Sequence, residues 1–154
     1  MDAGCYAVHC VRQLGTGEPT VVRARAKLRS PGVDRAMTAS LHFPDGATGT
    51  VTCSMWSRRL LGVSAKAIGE RGELRITNFV APHVFNRLSV RCAAGRWSEH
   101  VQGEPTYHYQ LRAFAAAVRD GTEVLTPPSD AVANMRVIDS IYLAAGLRPR
   151  GLPA

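Results

Sequence analysis

The chain has 154 residues, of which 45% are hydrophobic and 20% are charged, and its formal net charge is +7. This length fits one domain with a real core, and the composition is close to that of a soluble globular protein. No apolar run reaches the roughly 18 residues that a membrane crossing needs, and no basic segment followed by an apolar stretch indicates a signal peptide. We therefore expect a cytoplasmic protein that does not associate with membranes.

The positive charge does not indicate a nucleic-acid-binding protein. Arginines supply almost all of it and are spread from Arg12 to Arg150, without a basic helix, an RNP-type motif or a zinc-finger spacing. The densest group alternates with apolar residues, as on the polar face of a strand, and consists of Arg23, Arg25, Lys27 and Arg29. We expect this face to be solvated or to pair with acidic groups across a subunit contact; phosphate binding is the less favoured alternative.

Residues 1–15 have the pattern of an amphipathic helix that ends at a glycine. The polar side chains Asp2, Tyr6, His9 and Gln13 follow one another at spacings that place them on one stripe. The opposite stripe is small and apolar, and consists of Ala3, Ala7, Cys10, Val11 and Leu14. A carboxylate, a phenol and an imidazole on one helix face predict a surface for proton transfer. The alternative is an ordinary helix terminus with a half-buried tyrosine and a surface histidine.

A metal site is not predicted on this helix. Cys5 and His9 are four residues apart and could share a zinc ion, but two ligands do not make a structural zinc site.

The middle of the chain has the alternation that is typical of strands. The predicted strands are 20–29, 33–43, 47–57, 62–68, 73–77, 88–92 and 97–101. Between the second and third of these, Pro44-Asp45-Gly46 is a strong turn signal, so we expect an antiparallel hairpin there. Gly69–Gly72 and Ala94-Gly95 indicate two further tight turns between neighbouring strands.

The last third of the chain changes to helical periodicity. One apolar stripe ends at Asp120-Gly121 and consists of Tyr107, Leu111, Phe114, Ala115 and Val118. A second helix follows Pro127 and Pro128, with Ser129 or Asp130 as its cap. Its buried stripe is predicted to consist of Ala131, Met135, Val137, Ile138, Ile141, Tyr142 and Ala145. Asp139 lies among these apolar residues, and a buried carboxylate needs a partner, so we expect an ion pair with an arginine.

The order of these elements predicts an α+β fold, with an open, mostly antiparallel β-sheet of about six to eight strands and helices packed on one face. We expect a single domain over residues 1–147 and a loose tail over 148–154, which is rich in Pro, Gly and Arg. A broad apolar sheet face needs a cover, so we also expect a homodimer or higher oligomer that forms through the sheet face.

Five stretches of the chain together resemble the C-terminal domain of the Gfo/Idh/MocA family of NAD(P)-dependent oxidoreductases, which includes glucose-fructose oxidoreductase and dimeric dihydrodiol dehydrogenase. In chain order they are DAGCYAVHCVRQLG, VDRAMTASLHFPDGATGTVTCS, IGERGELRITN, TYHYQLRAFAAAVRDG and SDAVANMRVIDSIYLAAG. Each stretch alone is weakly specific, whereas their order and spacing together are more so, and they cover nearly the whole chain.

The resemblance implies the substrate-binding and oligomerisation half of an enzyme that acts on a hydroxyl or carbonyl of a sugar, polyol or diol. The opening helix of the family holds an Asp, then a His or Tyr, then often an Asp or Asn, at the positions of Asp2, Tyr6 and His9. Asp2 and Tyr6 are thereby implied to be catalytic, with Tyr6 as the proton donor and acceptor. His9, which departs from the commoner Asp or Asn, is implied to contact the substrate.

The resemblance also implies NAD or NADP, held by an N-terminal Rossmann domain with a G-x-G-x-x-G motif and a Glu-Lys-Pro segment whose lysine assists the tyrosine. In this sequence Gly15-Thr16-Gly17 follows a helix and lacks the third glycine, and neither Lys27 nor Lys66 lies in a Glu-Lys-Pro context. We therefore expect a missing or separate Rossmann domain, and neither cofactor binding nor turnover by this chain alone. The alternative is a stand-alone, non-catalytic binding or scaffold protein that kept the fold.

Overall fold

The computed structural model describes residues 4–55 and 62–149. Its elements in chain order are α1 (Gly4–Leu14), β1 (Thr20–Ser30), β2 (Val33–His42), β3 (Thr48–Ser54), β4 (Ser64–Gly69), β5 (Gly72–Thr77), β6 (Arg87–Cys92), β7 (Gly95–Glu99), α2 (Thr106–Asp120) and α3 (Pro128–Ala144). The predicted α+β class is confirmed, and each predicted element is found with ends that differ by a few residues. The predicted end of the third strand and most of the predicted tail, 150–154, lie outside the described residues. None of the helices in the described ranges has the length and apolar composition needed to cross a membrane.

The strands of the described ranges form two sheets rather than the single sheet that we expected. One sheet has the order β1-β2-β3 and the other has the order β4-β5-β6-β7. Within residues 4–55 and 62–149, all the pairings are antiparallel and join strands that are neighbours in the sequence, and none of them joins β3 to β4. The chain divides accordingly into two compact units, residues 1–58 with 128–154 and residues 59–127.

The core of the first unit lies between the three-stranded sheet and the helices α1 and α3. Alternation along β2 and β3 turns every second side chain towards these helices, and Met37 pairs with Cys53 on that side while Thr38 pairs with Thr52 on the other. The buried hydrophobic residues of this core are Val8, Met37, Ala39, Leu41, Val51, Val137, Ile138, Ile141 and Tyr142. The predicted antiparallel hairpin is therefore confirmed.

The opposite face of the three-stranded sheet is polar. Basic side chains on β1 stand beside hydroxyl side chains on β2 and β3, and the exposed members are Arg23, Arg25, Lys27, Thr38, Ser40, Thr50 and Thr52. The predicted polar face of β1 is thus present. This surface is not the broad apolar face on which we based the expected self-association.

The second unit does carry an apolar sheet face. Leu74 pairs with Val90, which pairs with Trp97 on the next strand, and Ile76 pairs with Leu88 on the same face. No residue of β4 to β7 is buried, and Trp97 is 49% exposed. Most of the predicted stripe of α2 is also exposed, with Ala115 half-buried, and none of the residues of this helix is buried. The predicted packing of helices on a sheet face is therefore found for α1 and α3, which pack on the three-stranded sheet.

The buried residues of α1 are Gly4, Val8 and Arg12. In the predicted apolar stripe, Ala7 and Val11 are partly buried against the core, whereas Leu14 is 49% exposed. A glycine on the facing strand allows α1 to approach the sheet closely. A Cβ at Gly49 would lie only 3.0 Å from Cγ2 of Val11, so the helix approaches β3 closely where that strand has no side chain.

Gly15 follows the last residue of α1 and lies against the ring of Phe43. A Cβ at Gly15 would lie 2.0 Å from Cε1 of Phe43, and that ring is only 3% exposed. We expect Gly15→Ala to lower the free energy of unfolding by about 1–3 kcal/mol, the usual cost of overpacking, as measured by urea titration. The matched control is Gly69→Ala, since nothing lies within 4 Å of a Cβ there. Unchanged stability of Gly15→Ala would contradict the close contact.

Candidate active site

The described residues of the predicted site lie on the outer side of α1. Tyr6 is 53% exposed, and the side chain of His9 is 37% exposed. They are three residues apart on the helix, so their side chains are neighbours, and the buried Val8 between them faces the core. The Tyr6 hydroxyl has no hydrogen-bond partner among the residues that the structure describes. Asp2, the other predicted catalytic residue, lies outside the described residues.

A buried arginine ties the C-terminal half of α1 to two other segments. Arg12 is 8% exposed. It donates from Nε and Nη2 to the two carboxylate oxygens of Glu18, at 2.8 and 2.5 Å. Nη2 also donates to Oδ1 of Asp130, at 2.9 Å. The paired contacts with Glu18 have the fork geometry of a strong arginine–carboxylate pair. Arg12 thereby joins α1 to the loop before β1 and to the first turn of α3.

The contacts among Arg12, Glu18 and Asp130 fix the positions of their charged groups. The pKa of Arg12 is raised above its ordinary value, chiefly by the hydrogen bond to Glu18, against the opposing effect of burial and with a further contribution from Asp130. The hydrogen bond from Arg12 is also the main reason why the pKa of Glu18 is lowered. One guanidinium faces two carboxylates, so one carboxylate charge in the cluster is left to interact with another group.

That other group is His9. Its Nδ1 lies 3.4 Å from Oδ2 of Asp130, the carboxylate oxygen that Arg12 does not use. Asp130 is only 17% exposed and thus bridges the buried Arg12 and the partly exposed His9. The structure therefore places a charged, fixed partner behind the histidine that we predicted to contact the substrate.

Two further hydrogen bonds fix α3, which carries Asp130. Asn134 donates from Nδ2 to the backbone oxygen of Cys5 in the first turn of α1, at 3.3 Å. The hydroxyl of Tyr142 donates to Oδ1 of Asp34 on β2, at 2.6 Å. Asp130 consequently stands on a helix that is anchored to both α1 and the sheet.

The sequence did not reveal the residues behind His9. We expected an arginine to pair with Asp139, but the arginine bonded to α3 pairs with Asp130, and Asp139 has no ion pair within the described part of the chain. The sequence pattern indicates Asp130 only as a possible helix cap, and Arg12 only as one of many arginines. The available signal was the four-residue spacing of Gly4, Val8 and Arg12, which marks one helix stripe.

The described residues do not form a Rossmann cradle. A Rossmann cradle needs a strand that enters a glycine-rich turn and then a helix, within a parallel sheet. Here Gly15 and Gly17 lie between α1 and β1, in the reverse order, and the sheets of the described ranges are antiparallel. Across those ranges, there is also no group of three His, Cys, Asp or Glu side chains that could hold a metal ion.

The fold is shared with solved oxidoreductase structures over nearly the whole chain. An aldose-aldose oxidoreductase from Caulobacter crescentus, complexed with glycerol, has a TM-score of 0.82 at 21% identity, over 93% of this chain and 44% of that one. A 3-ketoreductase from Actinomadura kijaniata, in complex with TDP-benzene and NADP, has a TM-score of 0.79 at 19% identity, over 96% of this chain and 46% of that one. These likenesses establish the fold, which the chain shares with somewhat less than half of each of these two proteins.

Two sequence relatives carry the names of oxidoreductases. D-xylose 1-dehydrogenase (NADP(+)) 2 from Haloferax volcanii is 31% identical over 146 residues, which is 94% of this chain and 45% of the relative. The uncharacterized oxidoreductase ORF334 from Rhizobium meliloti is 26% identical over 152 residues, with the same coverage of 94% and 45%. The chain thus spans slightly less than half the length of these relatives.

Residues 1–75 match the family model of the GFO/IDH/MocA C-terminal domain. The chain belongs to the Gfo/Idh/MocA family, as a C-terminal domain, and the resemblance drawn from its five sequence stretches is confirmed.

Proposed function

We propose that this chain is the substrate-binding and oligomerisation half of an NAD(P)-dependent oxidoreductase that acts on a hydroxyl or carbonyl of a sugar, polyol or diol. The observation that carries the proposal is an exposed tyrosine beside a partly exposed histidine, Tyr6 and His9, on the first helix of a Gfo/Idh/MocA C-terminal domain. The similarity to a D-xylose dehydrogenase over 94% of the chain supports the substrate class. In this proposal residues 1–147 act as one domain and 148–154 are its tail.

Tyr6 is the proposed proton donor and acceptor. In the oxidative direction Tyr6, as the phenolate, would take the proton of the substrate hydroxyl and become the phenol, and in the reductive direction it would return that proton. A nicotinamide cofactor would supply the hydride chemistry when bound. The exposed Tyr6 hydroxyl, without a hydrogen bond to the described residues, is accessible to a substrate oxygen. Asp2 is the second proposed catalytic residue, and His9 is the proposed substrate contact.

The cofactor is proposed to bind elsewhere, on a Rossmann domain that this chain works with. The described residues form no cradle for a pyrophosphate, since the glycine pair Gly15 and Gly17 follows a helix rather than a strand. A phenol also needs a nearby cation to exchange its proton close to neutral pH, and Tyr6 has no ion-pair or cation contact among the described residues. A lysine of the nucleotide-binding domain is proposed to supply that cation.

We place the oligomer contact on the apolar face of the four-stranded sheet. Leu74, Ile76, Leu88, Val90 and Trp97 lie on this face, and none of them is buried. A contiguous apolar face that remains open is typical of a surface that another molecule covers. In a twofold homodimer the same surface patch of each subunit contacts its copy. This apolar face is the patch that we propose for that contact.

The test compares the chain with the complete enzyme, in which it is joined to its nucleotide-binding domain. We expect the complete enzyme to reduce NADP⁺ or NAD⁺ with D-xylose, another aldose, a polyol or a diol, and the chain alone to show no turnover, as followed by absorbance of the reduced cofactor. NADPH oxidation by the chain alone, with a sugar or diketone, would contradict the proposal that turnover requires a separate nucleotide-binding domain. A complete protein that folds but binds neither nucleotide nor sugar would favour the scaffold alternative.

A further inference from the structure

The carboxylate of Asp130 is divided between two side chains of α1. Its Oδ1 accepts from Nη2 of Arg12 at 2.9 Å, and its Oδ2 lies 3.4 Å from Nδ1 of His9. Because Arg12 is buried and also fixed by Glu18, it holds Asp130 in one orientation. The second oxygen is therefore kept towards the imidazole rather than turned to solvent.

This contact favours one of the two neutral forms of the His9 ring. An ionised carboxylate attracts a hydrogen and cannot donate one, so the ion-pair distance of 3.4 Å favours the form with the hydrogen on Nδ1. A neutral imidazole has one donor and one acceptor, which leaves Nε2 as the acceptor. The ring is 37% exposed, and Nε2 has no partner among the residues that the structure describes, so it can accept from a bound molecule.

We propose that Asp130 is a positioning residue, which holds His9 in the Nδ1–H form and so presents Nε2 to a hydroxyl group of the substrate. That hydroxyl neighbours the one that exchanges its proton with Tyr6, which lies three residues from His9 on the same helix. The substrate class would then be a polyhydroxy compound with adjacent hydroxyl groups. This second half of the inference rests on the proposed function; the state of His9 does not.

The state of His9 can be measured on the chain itself, without activity. Ring-nitrogen chemical shifts of ¹⁵N-histidine-labelled chain, read at the alkaline end of a pH titration by NMR, report which nitrogen is protonated. We expect His9 to be protonated at Nδ1. In Asp130→Asn, Arg12 can only donate and should attract the amide oxygen, so the amide nitrogen should face His9. That nitrogen donates, and the hydrogen of His9 should move to Nε2.

The matched control is Asp139→Asn, the same chemical change on the same helix at a carboxylate with no ion pair among the described residues. It should leave the ring-nitrogen shifts of His9 unchanged. Protonation of wild-type His9 at Nε2, or identical shifts in wild type and Asp130→Asn, would overturn the positioning role, whether or not the complete enzyme is active.

Kinetics of the complete enzyme test the second half of the inference, the proposed contact between Nε2 of His9 and a hydroxyl group of the substrate. Asp130→Asn should raise KM for an aldose about threefold to tenfold, which is the contribution of one hydrogen bond, and should change kcat less. KM for a simple secondary alcohol without a neighbouring hydroxyl should be unchanged. An equal loss for both substrates would show that His9 does not bind a neighbouring hydroxyl. An inactive complete enzyme would overturn this half together with the proposed function, and the NMR result would still decide the role of Asp130.

Discussion

Replacing Tyr6 by phenylalanine in the complete enzyme is expected to lower kcat by about 10²–10⁴, the usual contribution of a positioned general acid or base. The variant removes one oxygen and keeps the ring. Because the Tyr6 hydroxyl has no hydrogen bond to the described residues, the loss should not come from a destabilised fold. Initial rates of cofactor reduction with a sugar give kcat, and thermal unfolding of the same preparation checks the fold.

Tyr107→Phe is the matched control for Tyr6→Phe. Tyr107 is 77% exposed on α2, so the same loss of a hydroxyl should leave kcat within about a factor of two, in keeping with the small effect of most surface substitutions. If Tyr6→Phe retained full activity in an enzyme that Tyr107→Phe also leaves unharmed, proton transfer by Tyr6 would be excluded. If the complete protein has no activity but binds a partner, and Tyr6→Phe binds it equally well, the scaffold alternative gains support.

The parts of the fold that depend on short-range pattern could be predicted from the sequence. In the β2–β3 hairpin, threonine and serine alternate with apolar residues across a Pro-Asp-Gly turn, so period, register and turn all indicate one structure. Met37, Ala39 and Leu41 are buried for this reason. Tyr6 and His9 could likewise be placed on one exposed side of α1, because the helical period alone fixes their spacing.

The parts of the fold and of the site that depend on long-range contacts could not be predicted from the sequence. Arginine is rarely buried without a partner, and the partners of Arg12 are 6 and 118 residues away in the sequence. Local periodicity therefore did not show that Arg12 is buried on α1. It also favoured Asp139 over Asp130 as the acid that pairs with an arginine, since it cannot show which end of α3 meets α1. The division of the strands into two sheets depends on where pairing is interrupted, and alternation within each strand does not specify this.

Arg12→Met in this chain is expected to lower the free energy of unfolding by about 2–4 kcal/mol, towards the lower end of the cost of breaking a buried ion pair. Methionine fills a similar volume, so most of the loss comes from the carboxylates. Asp130 is 17% exposed and loses its closest cation, whereas Glu18 is 57% exposed and can be solvated. Urea titration measures the change. Arg96→Met, at an exposed arginine of β7, is the control and should cost less than about 0.5 kcal/mol.

The double variant Arg12→Met with Asp130→Asn separates charge from packing. If an unpaired buried carboxylate causes the loss, its removal should recover part of the stability, and the two substitutions should be non-additive by about 1 kcal/mol or more. Additive losses would mean that Arg12 acts through its packing alone. In that case the ion pair would not be what holds α1 against α3, and the fixed orientation of Asp130 towards His9 would need another cause. A single Arg12→Met variant as stable as wild type would contradict the organising role of Arg12 altogether.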